Sequence, residues 1–208
     1  MTHRIRRATF AAALLLSTAA AAGEAPDPHA HCRELAQAQA QAPRRAARTT
    51  AAYPLPVVEL VREDGQALAL AAALGDDRPV VVDFVYTTCT TICPVLSGTF
   101  TRLQSALGAD AAKVRLVSIS IDPEQDTPAR LAAYARRFHA QAGWHFYTGS
   151  AQASVAVQRA FQVYRGDKMD HTPVTLLRPA AGRPWVRFDG FAAAEELAAE
   201  LRPAVASR

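Results

Sequence analysis

The sequence predicts an α/β domain: a mixed β-sheet flanked by helices, led by an N-terminal β-hairpin. Two apolar, β-branched runs, Val80 to Tyr86 and Val114 to Ile121, read as strands buried on both faces, so layers must cover the sheet on each side. Stretches with helical spacing alternate with the strands, the pattern of a mixed α/β sheet. From Tyr53 onward about 156 residues remain, enough for one domain with a core.

The elements follow in order. Val57 to Val61 and Gln66 to Leu70 flank Asp64-Gly65, a hairpin turn signal. The strand from Val80 feeds a helix from Pro94 to Leu107, with apolar spacing at Leu96, Phe100, Leu103 and Leu107. After the strand ending at Ile121, Thr127-Pro128 supplies a cap and a first-turn proline for a helix running to Phe138. Trp144 to Tyr147 is a short strand and Ala151 to Phe161 a helix. Val174 to Leu177 and Trp185 to Phe188 pair as a hairpin across Ala180-Ala181-Gly182, and Ala192 to Leu201 is the closing helix.

Residues 1–22 read as a signal peptide or a short membrane anchor. Arg4, Arg6 and Arg7 precede an apolar stretch from Ala8 to Ala22 that ends in small residues. That stretch is shorter than the ~20 residues a membrane span needs. Residues 23–52 read as a mobile linker, with Pro26, Pro28, Pro43 and an Ala/Gln run that lacks an apolar face. Residues 53–208 form the domain. The formal net charge of +4 belongs to the N-terminal part: residues 1–52 hold seven arginines and three acids, whereas 53–208 hold sixteen basic and sixteen acidic residues. A domain without basic excess argues against a nucleic-acid partner. Export implies a periplasmic protein, free or tethered to the inner membrane.

Two cysteines carry the chemistry. Cys89 and Cys93 follow the first buried strand and precede Pro94. In an oxidising compartment such a pair defaults to a disulfide. Near a helix N-terminus a thiol is also stabilised as thiolate, the nucleophilic and metal-binding form. On one helix the two would share a face, free to meet each other or one ion. Thiols placed where a central strand feeds a helix match a thioredoxin-like arrangement, although redox pairs of that kind are spaced by two residues rather than three. A metal and a disulfide both remain open.

Further motifs accompany the pair: Tyr86-Thr-Thr-Cys-Thr-Thr-Ile-Cys-Pro94, Asp122-Pro-Glu-Gln-Asp-Thr-Pro128, Trp144-His-Phe-Tyr-Thr-Gly149 and Asp170-His171-Thr172. In order and spacing, from about Pro54 to Leu201, they resemble the SCO/SenC family of copper-handling proteins. The resemblance implies a thioredoxin-like fold and a copper-binding chaperone that delivers copper to the dinuclear copper centre of cytochrome c oxidase. The expected partners are the copper-centre subunit of that oxidase and other copper chaperones. The resemblance also implies a site of two cysteines and one histidine, at Cys89, Cys93 and His171. Two thiolates suit Cu(I), and an added imidazole lets the set accept Cu(II) as well. A closed zinc site wants four ligands, and three are named. The alternative is an extracytoplasmic thiol–disulfide oxidoreductase acting on the oxidase's copper-ligand cysteines, with Cys89 and Cys93 as its redox-active pair. A thiol peroxidase reading rests on fold alone.

Other residues stay open at this stage. Asp122 and Asp126 read first as loop and cap residues, second as partner or metal contacts. Asp83 is an acid inside a buried strand, costly unless paired; it either tunes the thiols or bonds to backbone or water. A cis Thr172–Pro173 bond would face the thiols as in thioredoxin-like redox proteins. His29, His31 and Cys32 in the linker form a compositional hint of metal capture.

Overall fold

The computed structural model of the chain describes residues 46–75 and 77–206. The signal segment, most of the linker, and with them His29, His31 and Cys32, lie outside the described residues. The strands are β1 (Ala47–Ala51), β2 (Glu59–Arg62), β3 (Ala67–Ala69), β4 (Val80–Val85), β5 (Arg115–Ser120), β6 (Trp144–Thr148), β7 (Val174–Arg178) and β8 (Trp185–Asp189). The helices are α1 (Leu70–Ala73), α2 (Ile92–Leu107), α3 (Pro128–Arg137), α4 (Ala151–Ala160) and α5 (Ala194–Ala206), with 3-10 turns at Gly108–Lys113 and Lys168–Asp170.

Among the described residues the strands make one eight-stranded sheet, ordered β1-β8-β7-β4-β5-β6-β2-β3. β4, β5 and β6 run parallel; every other neighbouring pair is antiparallel. This is the thioredoxin-like mixed α/β class expected from the sequence, with the β2–β3 hairpin in place. Gly65 takes the left-handed conformation at the hairpin turn (φ 88°), which costs little only for glycine. Asp64 Oδ1 accepts from Gln66 N at 3.0 Å across it.

Each buried strand divides its side chains by alternation. Val81 and Val85 of β4 face a core that includes Phe100 of α2, Leu131 of α3 and Leu197 and Leu201 of α5. Val80, Val82 and Phe84 face the opposite core with Leu70, Val157 and Phe161. The same alternation turns Asp83 toward the α2 side, the side on which Cys93 is buried.

Several element ends shift by a few residues from the sequence reading, the closing helix running on to Ala206, and two segments change type. Ala47–Ala51, read as linker, pair with β8 from Ala47↔Asp189 to Ala51↔Trp185. The strand is largely exposed, so it lacks the apolar pattern that marks a strand in sequence. Its Arg48 reaches Glu200 of α5 at 2.5 Å. Leu70, read as the end of a strand, instead opens α1 and is buried there. Among the described residues no helix is long and apolar enough to cross a membrane.

Candidate functional site

The carboxyl ends of β4 and β5 and the amino end of β7 meet at one end of the sheet. β4 and β5 are parallel while β4 and β7 are antiparallel, so the loops leaving the first two lie beside the loop entering the third. Loops at the carboxyl ends of parallel strands are where α/β sheets carry their sites. Cys89 and Cys93 come from the β4–α2 connection, Asp122 and Asp126 from the β5–α3 loop, and His171 from the loop before β7.

Tyr86 to Cys89 close a turn, with Cys89 N donating to Tyr86 O at 3.1 Å. Cys89 therefore stands ahead of α2, and only Cys93 lies within the helix, so the shared helix face expected from their spacing is not how they meet. They meet through the helix N-terminus: Cys93 N donates to Cys89 Sγ at 3.4 Å. Both are free thiols. Cys89 is 6% exposed and Cys93 fully buried. Burial works against the Cys89 thiolate, but hydrogen bonds from the amides of Cys93 and Thr91 and from the Cys93 and Tyr86 side chains together bring its pKa down to about 7. Burial, with the Cys89 charge beside it, pushes Cys93 strongly upward. One thiol is thus poised to ionise and the other holds its proton.

His171 is 5% exposed. Its Nε2 lies 3.1 Å from Phe84 O in β4. A carbonyl only accepts, so Nε2 carries the hydrogen and the lone pair is on Nδ1. Burial lowers the imidazole pKa, and Arg165 adds to this against the pull of the carbonyl. The ring is therefore neutral, the form that ligates metals. A backbone carbonyl holding the non-ligating nitrogen is the usual outer support of a metal-bound histidine. Among the described residues no three His, Cys, Asp or Glu side chains converge as a metal cage. The thiols are together, and His171 stands on the adjoining strand entry. Beside it lies a cavity of about 170 Å³ bordered by Asp122, Ser154, Gln158, Arg165 and Lys168.

The two aspartates of the β5–α3 loop brace the site. Asp126 is fully buried and accepts from Thr87 N at 3.1 Å, Thr87 Oγ1 at 2.6 Å and Ser120 Oγ at 2.6 Å. It ties the thiol loop to the end of β5. The helix cap is Thr127, whose side chain accepts from Arg130 N at 3.3 Å. Asp122 accepts from Lys168 Nζ at 2.5 Å and so ties the same loop to the His171 loop. Sequence reasoning missed Tyr86, Thr87 and Lys168. The signal for Tyr86 was its place as the last residue of the buried run before the thiol turn.

Asp83 is buried on the thiol side, and neither carboxylate oxygen has a well-formed hydrogen bond among the described residues. Its neighbour across the ladder, Ser118, already accepts from Trp144 Nε1 at 3.0 Å. Burial pushes the Asp83 carboxyl up to about 7, against an opposing interaction with Ser118. The Thr172–Pro173 bond is trans, so the cis-proline geometry is not formed.

Comparison with known proteins places these features in a family. The SCO1/SenC family pattern matches residues 47–206. The chain is 35% identical over 104 residues to the SCO1 protein homolog of Bacillus subtilis (strain 168), covering 50% of this chain and 53% of that protein. The chain thus spans about half the length of the curated relatives it matches. Among solved structures it is similar to Bradyrhizobium japonicum ScoI with copper bound, at TM-score 0.61 and 29% identity, covering 71% of this chain and 97% of that one. It is similar in fold to BsSco, a member of the Sco family of cytochrome c oxidase assembly proteins, at TM-score 0.64 and 24% identity, covering 78% and 99%. With the family pattern running from the first strand of the sheet to the end of the last helix, the chain belongs to the SCO1/SenC family.

Proposed function

We propose that this chain is a copper-binding chaperone that uses Cys89, Cys93 and His171 as ligands and delivers copper to the dinuclear copper centre of cytochrome c oxidase during assembly. The observation that carries the reading is the donor set at one end of the sheet: a thiol close to ionising, a second thiol bonded to it through its amide, and a neutral histidine whose Nε2 is held by Phe84 O, leaving the lone pair on Nδ1. Two soft sulfurs and one imidazole suit Cu(I) and accept Cu(II). The copper-bound Bradyrhizobium relative supports the same cargo. Loading requires Cys93 to give up its proton, since thiolate is the binding form. It also requires the imidazole and the thiols to close on the ion. The partners of this reading are the copper-centre subunit of the oxidase and the chaperones that supply copper, and its setting is the periplasm, with residues 1–22 as signal or tether.

The experiment is an anaerobic Cu(I) titration of reduced protein beside the His171→Ala variant. The expected result is one ion per chain, with affinity about 10–100-fold weaker once the imidazole is removed. The opposed states of the thiols favour a second reading. One ionising and one protonated cysteine are the attacking and resolving partners of a thiol–disulfide reductase. Such an enzyme needs both thiols but not His171. Unchanged copper affinity in His171→Ala, with disulfide reduction intact, decides for the reductase.

A further inference from the structure

The chain contains two methionines. One is residue 1; the other, Met169, stands beside the thiol site. It lies in the 3-10 turn Lys168–Asp170, two residues before His171, and is 72% exposed. Leaving so large an apolar side chain in water forfeits burial free energy, yet its position is held. Its amide donates to Asp167 Oδ1 at 2.8 Å. The Tyr86 hydroxyl donates to Met169 Sδ at 3.7 Å. The same phenol interacts with the Cys89 thiol. One hydroxyl therefore addresses both the exposed thioether and the Cys89 thiol. Lys168 Nζ, anchored on Asp122, lies 5.8 Å from the centre of the Tyr86 ring and holds the phenol from its face.

We propose that Met169 is an entry ligand for Cu(I), whose thioether takes the ion at the surface and hands it to the Cys89 thiolate. The inference rests on the copper reading above and adds the route by which the ion arrives. A thioether is neutral and soft, so it ligates Cu(I) without losing a proton, whereas each thiol must lose one. In the hand-over a copper–thioether bond breaks as a copper–thiolate bond forms, and the copper stays Cu(I) throughout. The Tyr86 hydroxyl gives up its hydrogen bond to Sδ when the ion arrives and recovers it when the ion moves on. Cu(II) is less soft and gains less from a thioether than Cu(I) does, so this entry favours the reduced ion.

The test uses the reduced full chain, labelled with carbon-13 at the methionine methyl groups, with Cu(I) supplied anaerobically as its bicinchoninate complex. Loading is followed by stopped flow and the methyl resonances by NMR, the Met169 signal being assigned by its loss in Met169→Leu. Leucine keeps the size and apolarity of the side chain and removes only the sulfur. The expected result is a methyl shift at substoichiometric copper and loading about tenfold slower in Met169→Leu, with final stoichiometry unchanged. A methyl signal that does not move, or loading within about twofold of wild type, overturns the entry ligand. If the wild-type chain binds copper normally under those outcomes, the copper reading stands and only the entry ligand falls. If the wild-type chain takes up no copper, both fall together.

Discussion

Cys89 and Cys93 are four residues apart and chemically unlike. The first sits ahead of a helix and receives amide hydrogens; the second is inside the helix and fully buried. Reactivity should follow that division. With Cys89 near 7, its thiolate fraction rises as pH climbs through neutrality while Cys93 stays protonated. Alkylation of the reduced protein with iodoacetamide is expected to modify Cys89 before Cys93, with a rate midpoint near pH 7, as peptide mass spectrometry at a series of pH values will show. Equal labelling of both thiols, or a midpoint above 8, sinks the assignment. Cys89 and Cys93 stand out in a sequence because few side chains do what a thiol does, whereas His171 was singled out by the family resemblance. Tyr86, Thr87 and Lys168 do not stand out. Their roles consist of hydrogen bonds between loops that meet only once β4, β5 and β7 lie side by side, and no spacing along the chain encodes that.

At the scale of elements, α3 and α4 end alike. His139 and Gln162 follow the two helices in the left-handed conformation, with φ 53° and 57°. Each helix closes with the paired carbonyl bonds of a Schellman motif: Ala140 N to Ala135 O at 3.0 Å and His139 N to Arg136 O at 3.1 Å, then Val163 N to Gln158 O at 2.8 Å and Gln162 N to Arg159 O at 3.0 Å. A non-glycine residue there pays for its Cβ, so Gln162→Gly is expected to stabilise the protein by about 1 kcal/mol. Urea unfolding of the two proteins measures it, and a destabilised variant would show that the Gln162 side chain contributes more than its strain. The helices were legible because capping and apolar spacing are local: Thr127 before Pro128 marked α3, and Leu96 to Leu107 marked α2. β1 was not, because an exposed edge strand owes its shape to the β8 edge it covers rather than to its own pattern. α1 was hidden for a related reason. Its single turn is too short for helical periodicity to show.

At the scale of the whole molecule, Asp83 links stability to pH. Its folded pKa of about 7 lies above the unfolded value of about 3.9, so the folded state holds the proton more tightly. The stability this confers is complete below about pH 4 and is lost as pH rises through about 7. Asparagine removes the titration while keeping the shape. Relative to wild type, Asp83→Asn should therefore gain stability between about pH 4 and pH 8, by at most about 4 kcal/mol. Parallel stability-versus-pH curves from urea unfolding would remove Asp83 from this role. The position was legible as a buried acid. Its lack of a good partner was not, because that depends on Ser118 being engaged by Trp144 from another strand.

The antiparallel ladder between β4 and β7 has a consequence in time. It joins the strand that leads to the thiols to the strand that follows His171, across the whole middle of the chain. During synthesis both cysteines emerge well before residues 171–178. Until β7 docks, Phe84 O has no imidazole to hold and the thiols have no neighbouring histidine. A growing or unfolded chain therefore presents Cys89 and Cys93 without the assembled donor set. The fold thus delays the site until β7 has been made and docked, which keeps a thiol pair with appetite for metal from acquiring its third donor too early.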